Sequence, residues 1–335
     1  MIVAVLTTGD YEDVTDGAGK PTLVKIARSQ RIVSPEHHVN AEDKANHADR
    51  NGRTVVPSPD YQNIEVQVEG DIAVVTLASQ TGRGNPSNRI GPELAEFFRL
   101  TMLDRRAFEG PYEDIRAIVL RGKGNRFCTG GDVDAMRVQA GSMVDLRSNP
   151  QWVDRLPMER FWERRVHAFK CDIPVVAAIN GHAIGAGLSF ALLADIAIMS
   201  ETAKIGDPHI RRGLTSPGMA YHLAWQVGLA RAKLMIMKGQ YLTGGEAADI
   251  GLVSRAVPAE DVISEAMAEA QELASLPPLA IRWAKRSLNA ILMRELAAFA
   301  DMDAALEALT MLSSDHAEAV NAFLEKREHA RYTRS

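Results

Sequence analysis

PVVAAINGHAIGAGLSFALLADIAIMSETAKIGDPHI, residues 174–210, is the stretch whose reading decides the fold. It opens in the β-branched run 173–179, bounded by turn residues, which reads as a buried strand. Small residues at 185–187 then open a short helix expected over 188–194, and the chain returns to strand at 196–200 and Ile205. The start of a helix exposes backbone N–H groups without helical partners. Without side chains there, a ligand oxygen can approach the main chain, which is what an oxyanion hole requires. A dinucleotide-binding turn would need G-x-G-x-x-G opening a full-length helix, and the glycines here are spaced differently. A nucleophile elbow would need its serine in the turn after the strand, whereas Ser189 falls inside the helix.

Two further segments carry candidate chemistry. Upstream, the strand-like IRAIVLR (residues 115–121) runs into Arg126-Phe127-Cys128-Thr129-Gly130-Gly131-Asp132. Paired glycines after a strand permit a tight turn with outward N–H groups, and Asp132 suits the N-cap of a helix over 133–137. Taken alone, this is equally a plain strand-to-helix turn. Downstream, Asp207-Pro208-His209 places a histidine after a proline, on an extended backbone with Asp207 facing the same way. Histidine titrates near neutrality, which suits proton transfer. A lone loop histidine is also commonly structural, the role expected here for His182 and His222.

The remainder organises around these segments. Residues 1–62 are polar and charged around short apolar pieces, and form an extension of unassigned role. His37, His38 and His47 lack ligand spacing, so no metal site is expected. Residues 63–258 alternate strands and helices, beginning with a hairpin around Glu69-Gly70 and an amphipathic helix over 92–106. Residues 259–335 are helical, over 262–274, 279–291, 296–312 and 316–327. The chain has 335 residues and a net charge of −5, which gives nucleic-acid binding no electrostatic support. No apolar run reaches the roughly 20 residues of a membrane span, and the N-terminus lacks a signal pattern. Two cysteines, Cys128 and Cys171, make no disulfide framework, so a cytoplasmic location is expected.

In this order the segments resemble the crotonase (enoyl-CoA hydratase/isomerase) family. RFCTGGDVDAM (126–136) resembles its F-x-x-G-x-D segment, and residues 174–210 resemble its central signature. GQYLTGGEAADIGLVSRAV (239–257) is similar to its later helix-and-strand stretch. LAIRWAKRSLN (279–289) and HAEAVNAFLEKR (316–327) are similar to its closing helices. The resemblance spans about 63–327 and implies an α/β fold: a crotonase-like ββα spiral with a C-terminal helical oligomerisation region, assembled as a homotrimer or hexamer. It implies an acyl-CoA substrate, with coenzyme A as part of the substrate and no permanently bound cofactor. The oxyanion donors fall on the backbone N–H of Thr129 and Ala186. CoA contacts fall on Arg83, Asn88 and Arg126, with Gly130 and Gly185 beside the ligand. Where the family usually carries two glutamates, this sequence has Ser189 and His209. Catalysis is therefore expected at His209, Asp207 and Ser189, by hydration or isomerisation. C–C bond hydrolysis through His209, a serine hydrolase using Ser189, or a catalytically weakened acyl-CoA-binding subunit stay open as alternatives.

Overall fold

The computed structural model describes residues 11–15, 21–25, 54–78, 87–103, 108–131, 165–216, 218–328 and 330–332. They fall into two compact units, Met1–Asn51 and Gly52–Ser335. In the first, strands β1 (Tyr11–Thr15) and β2 (Pro21–Lys25) pair antiparallel.

The second unit is built on two sheets. Strands β3 (Thr54–Val55) and β6 (Phe108–Glu109) form a small parallel pair beside them. β4 (Ile64–Glu69) and β5 (Ile72–Leu77) form the expected hairpin, turning through Gly70 at φ 65°. β5 continues in parallel register to β7 (Ala117–Gly122), β8 (Val175–Ile179), β10 (Ile196–Ser200) and β13 (Arg255–Val257). The smaller sheet comprises β9 (Ala183–Ile184), β11 (Lys204–Gly206) and β12 (Tyr241–Thr243). Successive passes of the chain thus give one strand to the large sheet and the next to the small one, as β8 then β9 and β10 then β11 do. A helix or turn follows each pass.

The period-2 alternation of the buried strands decides what each face covers. Ile72, Val74, Val119, Val176, Ala178 and Ile198 face helix α6 (Val262–Ser275), which meets them with Val262, Ala266, Ala270 and Ala274. Small residues at every fourth position let this helix lie close against the sheet. The opposite face carries Ala73, Val75, Ile118, Leu120, Ala177 and Met199 into the main core. There they meet helices α1 (Ser87–Leu100), α2 (Ala186–Ala191) and α3 (Met219–Val227). Helix α4 (Leu229–Lys238) follows α3 after Gly228, and α5 (Gly244–Asp249) follows β12 through a Thr243–Glu246 capping box.

Three boundaries differ from the sequence expectation. α1 starts at Ser87 and runs through Pro92 rather than starting there. α2 begins at Ala186, two residues early, because Gly185 takes φ 58° and turns the chain directly into the helix. The two helices expected over 279–291 and 296–312 are one helix, α7 (Pro278–Met311), followed by α8 (Ser314–Leu324). α7 is pinned by polar groups: Lys285 Nζ reaches the Ile173 carbonyl and the Asp195 carboxylate, each at 2.7 Å. Asn289 donates to the Phe169 carbonyl at 3.0 Å. Leu279, Trp283, Leu288, Met302 and Leu309 on the same helix remain exposed.

The loop after β7 meets the start of α2 most closely at the Cys128 carbonyl. A Cβ on Gly187 would lie 1.9 Å from the Cys128 carbonyl oxygen. Helix propensity favours Ala over Gly by about 1 kcal/mol, but backbone offers no flexible end that can move aside. Gly187→Ala is therefore expected to lose roughly 1–3 kcal/mol in urea denaturation, as overpacking does. A gain in stability would contradict the packing described.

Candidate active site

The two glycine turns are joined by hydrogen bonds. Cys128 forms a parallel bridge with Ala183; its N–H donates to the His182 carbonyl at 3.1 Å, and its carbonyl accepts from Ile184 N at 2.9 Å. This fixes Thr129 and Gly130 beside Gly185 and Ala186. A Cβ built on Gly185 would sit 3.9 Å from the Gly130 Cα and 3.6 Å from His209 Cε1. Gly130 itself takes φ 99°, a conformation that disfavours side chains. Ala186 is the first residue of α2, so its N–H has no acceptor within that helix. The turn after β7, the start of α2 and the imidazole therefore meet at one place.

His209 gets there differently from the sequence expectation. Pro208 has ψ 8°, not an extended value, and His209 opens a one-turn 3-10 helix, His209–Arg212. The tight turn, not an extended run, brings the two side chains together. Asp207 Oδ1 accepts from both His209 N, at 3.2 Å, and Nδ1, while Oδ2 accepts from the Ser216 hydroxyl. With Nδ1 engaged, Nε2 is the nitrogen left to exchange protons. Asp207 is buried, at 1% side-chain exposure, and His209 is 20% exposed. Burial alone would raise the Asp207 carboxyl, but the imidazole and its hydrogen bonds hold it below the ordinary range. Burial, the largest single influence, opposes the imidazolium, but the charge and hydrogen bond of Asp207 together with the charge of Glu307 overcome it, and the His209 pKa lies above its usual value.

Ser189 is buried in α2, and its Oγ accepts from Arg165 Nη2 at 2.6 Å. A guanidinium cannot take a proton, so this partner does not make Ser189 a nucleophile. Arg165 belongs to a helical stretch, 165–170, that gave no recognisable signal in the sequence. Also unanticipated are Thr215 and two carboxylates of α7. Glu307 accepts from Thr215 Oγ1 at 3.0 Å, and Asp303 from Gly218 N at 2.9 Å. Burial, partly countered by His209, pushes Glu307 up to about 6. Their four-residue spacing was visible, but nothing in it said that this face points inward.

Of the expected CoA contacts, Arg126 is exposed on the turn after β7. Asn88 lies in the first turn of α1, and Arg83 lies outside the described residues, as do Asp132 and the helix expected after it. His182 accepts from Lys204 N at 2.9 Å, a structural role. His222 packs edge-on to Phe169, and burial drives its pKa down to about 3, so it stays neutral.

Residues 100–333 match the sequence profile of the enoyl-CoA hydratase/isomerase family. A probable enoyl-CoA hydratase of Rhodobacter capsulatus is 33% identical over 268 residues, 80% of this chain and 96% of that protein. A putative enoyl-CoA hydratase of Thermus thermophilus is 31% identical, over 78% of this chain and 98% of its own length. The crystal structure of an enoyl-CoA hydratase/isomerase from Mycobacterium paratuberculosis superposes with a TM-score of 0.67 at 28% identity, covering 78% of this chain and 98% of that one. The chain belongs to the enoyl-CoA hydratase/isomerase family.

As in these relatives, the fold is the crotonase spiral expected from the sequence, with a C-terminal helical region. No helix among the described residues is long and apolar enough to cross a membrane. A cavity of about 460 Å³ is lined by Lys204, Arg211, Lys238 and Tyr241 among others; it reaches the His209–Arg212 turn at Arg211 and does not include Asp207, His209, Ser216 or Glu307. Buried titratable groups converge at the His209 cluster, which makes it, not this cavity, the candidate site.

The elevated His209 pKa gives a signed prediction. Stability from the Asp207–His209 pair is complete below the free-imidazole value of about 6.5 and lost as pH rises through the folded value. Asp207→Asn removes the opposing charge, so the His209 titration midpoint, followed by histidine NMR, is expected to fall. An unmoved midpoint would remove Asp207 as its cause.

Proposed function

We propose that this enzyme binds an acyl-CoA thioester with its carbonyl oxygen between the backbone N–H groups of Thr129 and Ala186. Removal or addition of a proton at the α-carbon then passes through an enolate whose charge rests on those two donors. His209, held in one orientation by Asp207, is the group that carries the proton. The observation that supports this reading is the meeting of Gly130, Gly185 and His209 within about one side-chain length.

The remaining roles follow from placement. Gly130 and Gly185 leave the main chain accessible to the thioester, and the exposed Arg126 offers a cation to the CoA phosphates. Ser189, bonded to Arg165, is a polar contact one helical turn beyond Ala186. Hydration and double-bond isomerisation both use such an enolate. A single proton carrier that takes a proton from one carbon and returns it to another suits isomerisation. C–C bond hydrolysis is a second reading, favoured by the Asp207–His209 contact itself, which is the arrangement that activates a water. The exposed apolar side chains of α7 support burial in a homotrimer or hexamer, which light scattering of the purified chain would measure.

Enoyl-, β-keto- and diketo-acyl thioesters form the test panel. On the best of them, His209→Ala is expected to lower the rate about 10²–10⁴-fold. Unchanged turnover would remove His209 from the mechanism. Calorimetric binding of CoA esters without conversion of any would replace the enzyme reading with a binding subunit.

A further inference from the structure

The inward face of α7 carries polar side chains, and most of them serve plain packing. Lys285 and Asn289 hold the helix to the segment before β8, and Asp303 receives a loop N–H. Glu307 differs. It is 5% exposed, and among the described residues its carboxylate has one hydrogen-bond partner, the Thr215 hydroxyl. Burying a carboxylate without a bonded cation is costly, and a helix that had only to cover the site would do better with an apolar residue there. Thr215 belongs to the same closed loop as the histidine: Leu214 N donates to the His209 carbonyl at 3.0 Å, and Ser216 donates to Asp207.

We propose that Glu307 is a positioning residue for His209, a second carboxylate that the C-terminal helix brings to the Asp207–His209 pair, so that α7 is part of the catalytic apparatus. The proposal rests on the reading of His209 as the proton carrier. Charged groups surround the imidazole on several elements, and Asp207, Glu307 and Arg165 are the ones that act on it. Asp207 lies on its own loop, Glu307 and Asp303 on α7, Arg165 on the helical stretch 165–170, and Arg211 and Arg212 on the turn. Tyr221 and His222 on α3 and Tyr241 on β12 complete the titratable surroundings. Within this set Arg165 opposes the imidazolium, and Asp207 and Glu307 support it. Burial pushes Glu307 up to about 6, and above that pH its charge favours the His209 cation, whose pKa lies above the usual imidazole value.

Histidine NMR on the full chain tests this without any substrate, with the His209 signal assigned by its absence in His209→Ala. In Glu307→Gln the His209 titration midpoint is expected to fall by about one unit, the size of shift a neighbouring opposite charge produces. An unchanged midpoint in folded Glu307→Gln overturns the proposal. If circular dichroism shows that variant unfolded, Glu307→Asp carries the test. Its shorter side chain keeps the charge but draws it back, so the midpoint must move down by a smaller step, and a wild-type value overturns the proposal. A shifted midpoint with no turnover of any thioester would leave Glu307 in place and discard the proposed reaction. Turnover that depends on His209, with an unmoved midpoint in Glu307→Gln, would do the reverse.

Discussion

The contact on which the site depends is made of main chain: the Cys128 carbonyl oxygen lies where a side chain on Gly187 would have to be. Gly187 can approach the Cys128 carbonyl this closely only because it carries no Cβ, and here the approach is locked by hydrogen bonds on both sides of Cys128. The same device recurs one step earlier. Asn180 exchanges hydrogen bonds of 3.0 Å with both the N–H and the carbonyl of Gly122, and a Cβ on Gly181 would fall 2.2 Å from the Asn125 oxygen. The turn after β7 is thereby stitched to the turn after β8 along its whole length. Donors held this way need no reorganisation when charge develops between them, the condition under which backbone amides stabilise an oxyanion best.

The imidazole is held by different means. The turn His209–Arg212 packs against the C-terminal helices: His316 Nδ1 bonds the Arg212 carbonyl at 2.7 Å, and the Arg212 guanidinium lies 3.6 Å from the centre of the Phe323 ring. Gly213, at φ 66°, passes so close to His316 that a Cβ would meet its backbone at 2.8 Å. Thr215 ties the far end of the loop to Glu307 and Thr310. The sheet-borne amides thus come from the spiral, and the titratable group is aimed by helices about a hundred residues later in the chain. Loss of the α7–α8 packing would release the histidine while leaving the amide pair intact.

Much of this arrangement was legible in the sequence, and the illegible part has a physical cause. The strands of the large sheet announce themselves through β-branched runs, because burial on both faces leaves no place for polar residues. The two glycine turns are legible because close main-chain approach excludes other residue types. α7 blurs the usual signal. Leu296 and Ala308 are buried, but so are Lys285, Asn289 and Glu307, while Trp283, Leu288, Met302 and Leu309 point outward. Hydrophobic periodicity takes apolar residues to mark the inside, so it carries no sign that Glu307 faces inward. Extended geometry after Pro208 was a second misreading: proline restricts its own φ, but its ψ remained open to the turn that joins His209 to Asp207.

Ser189 and Arg165 make sense only together. A carboxylate at position 189 would stand within bonding reach of a buried guanidinium, which holds the Ser189 oxygen at 2.6 Å. Such pairing lowers a carboxyl pKa by about 1–3 units and makes it a weaker base. With Arg165 in that place, a glutamate would be neutralised as a partner rather than available for proton transfer, and serine satisfies the guanidinium without introducing a charge. Proton movement then has to come from a group whose surroundings favour a titratable form near neutrality. In the proposed reading that group is His209: Asp207 and Glu307 support its cation, Arg165 opposes it, and its Nε2 is not used by the pairing with Asp207. Ser189 and His209 thus fit one charge arrangement, in which Arg165 sits against position 189 and two carboxylates serve position 209.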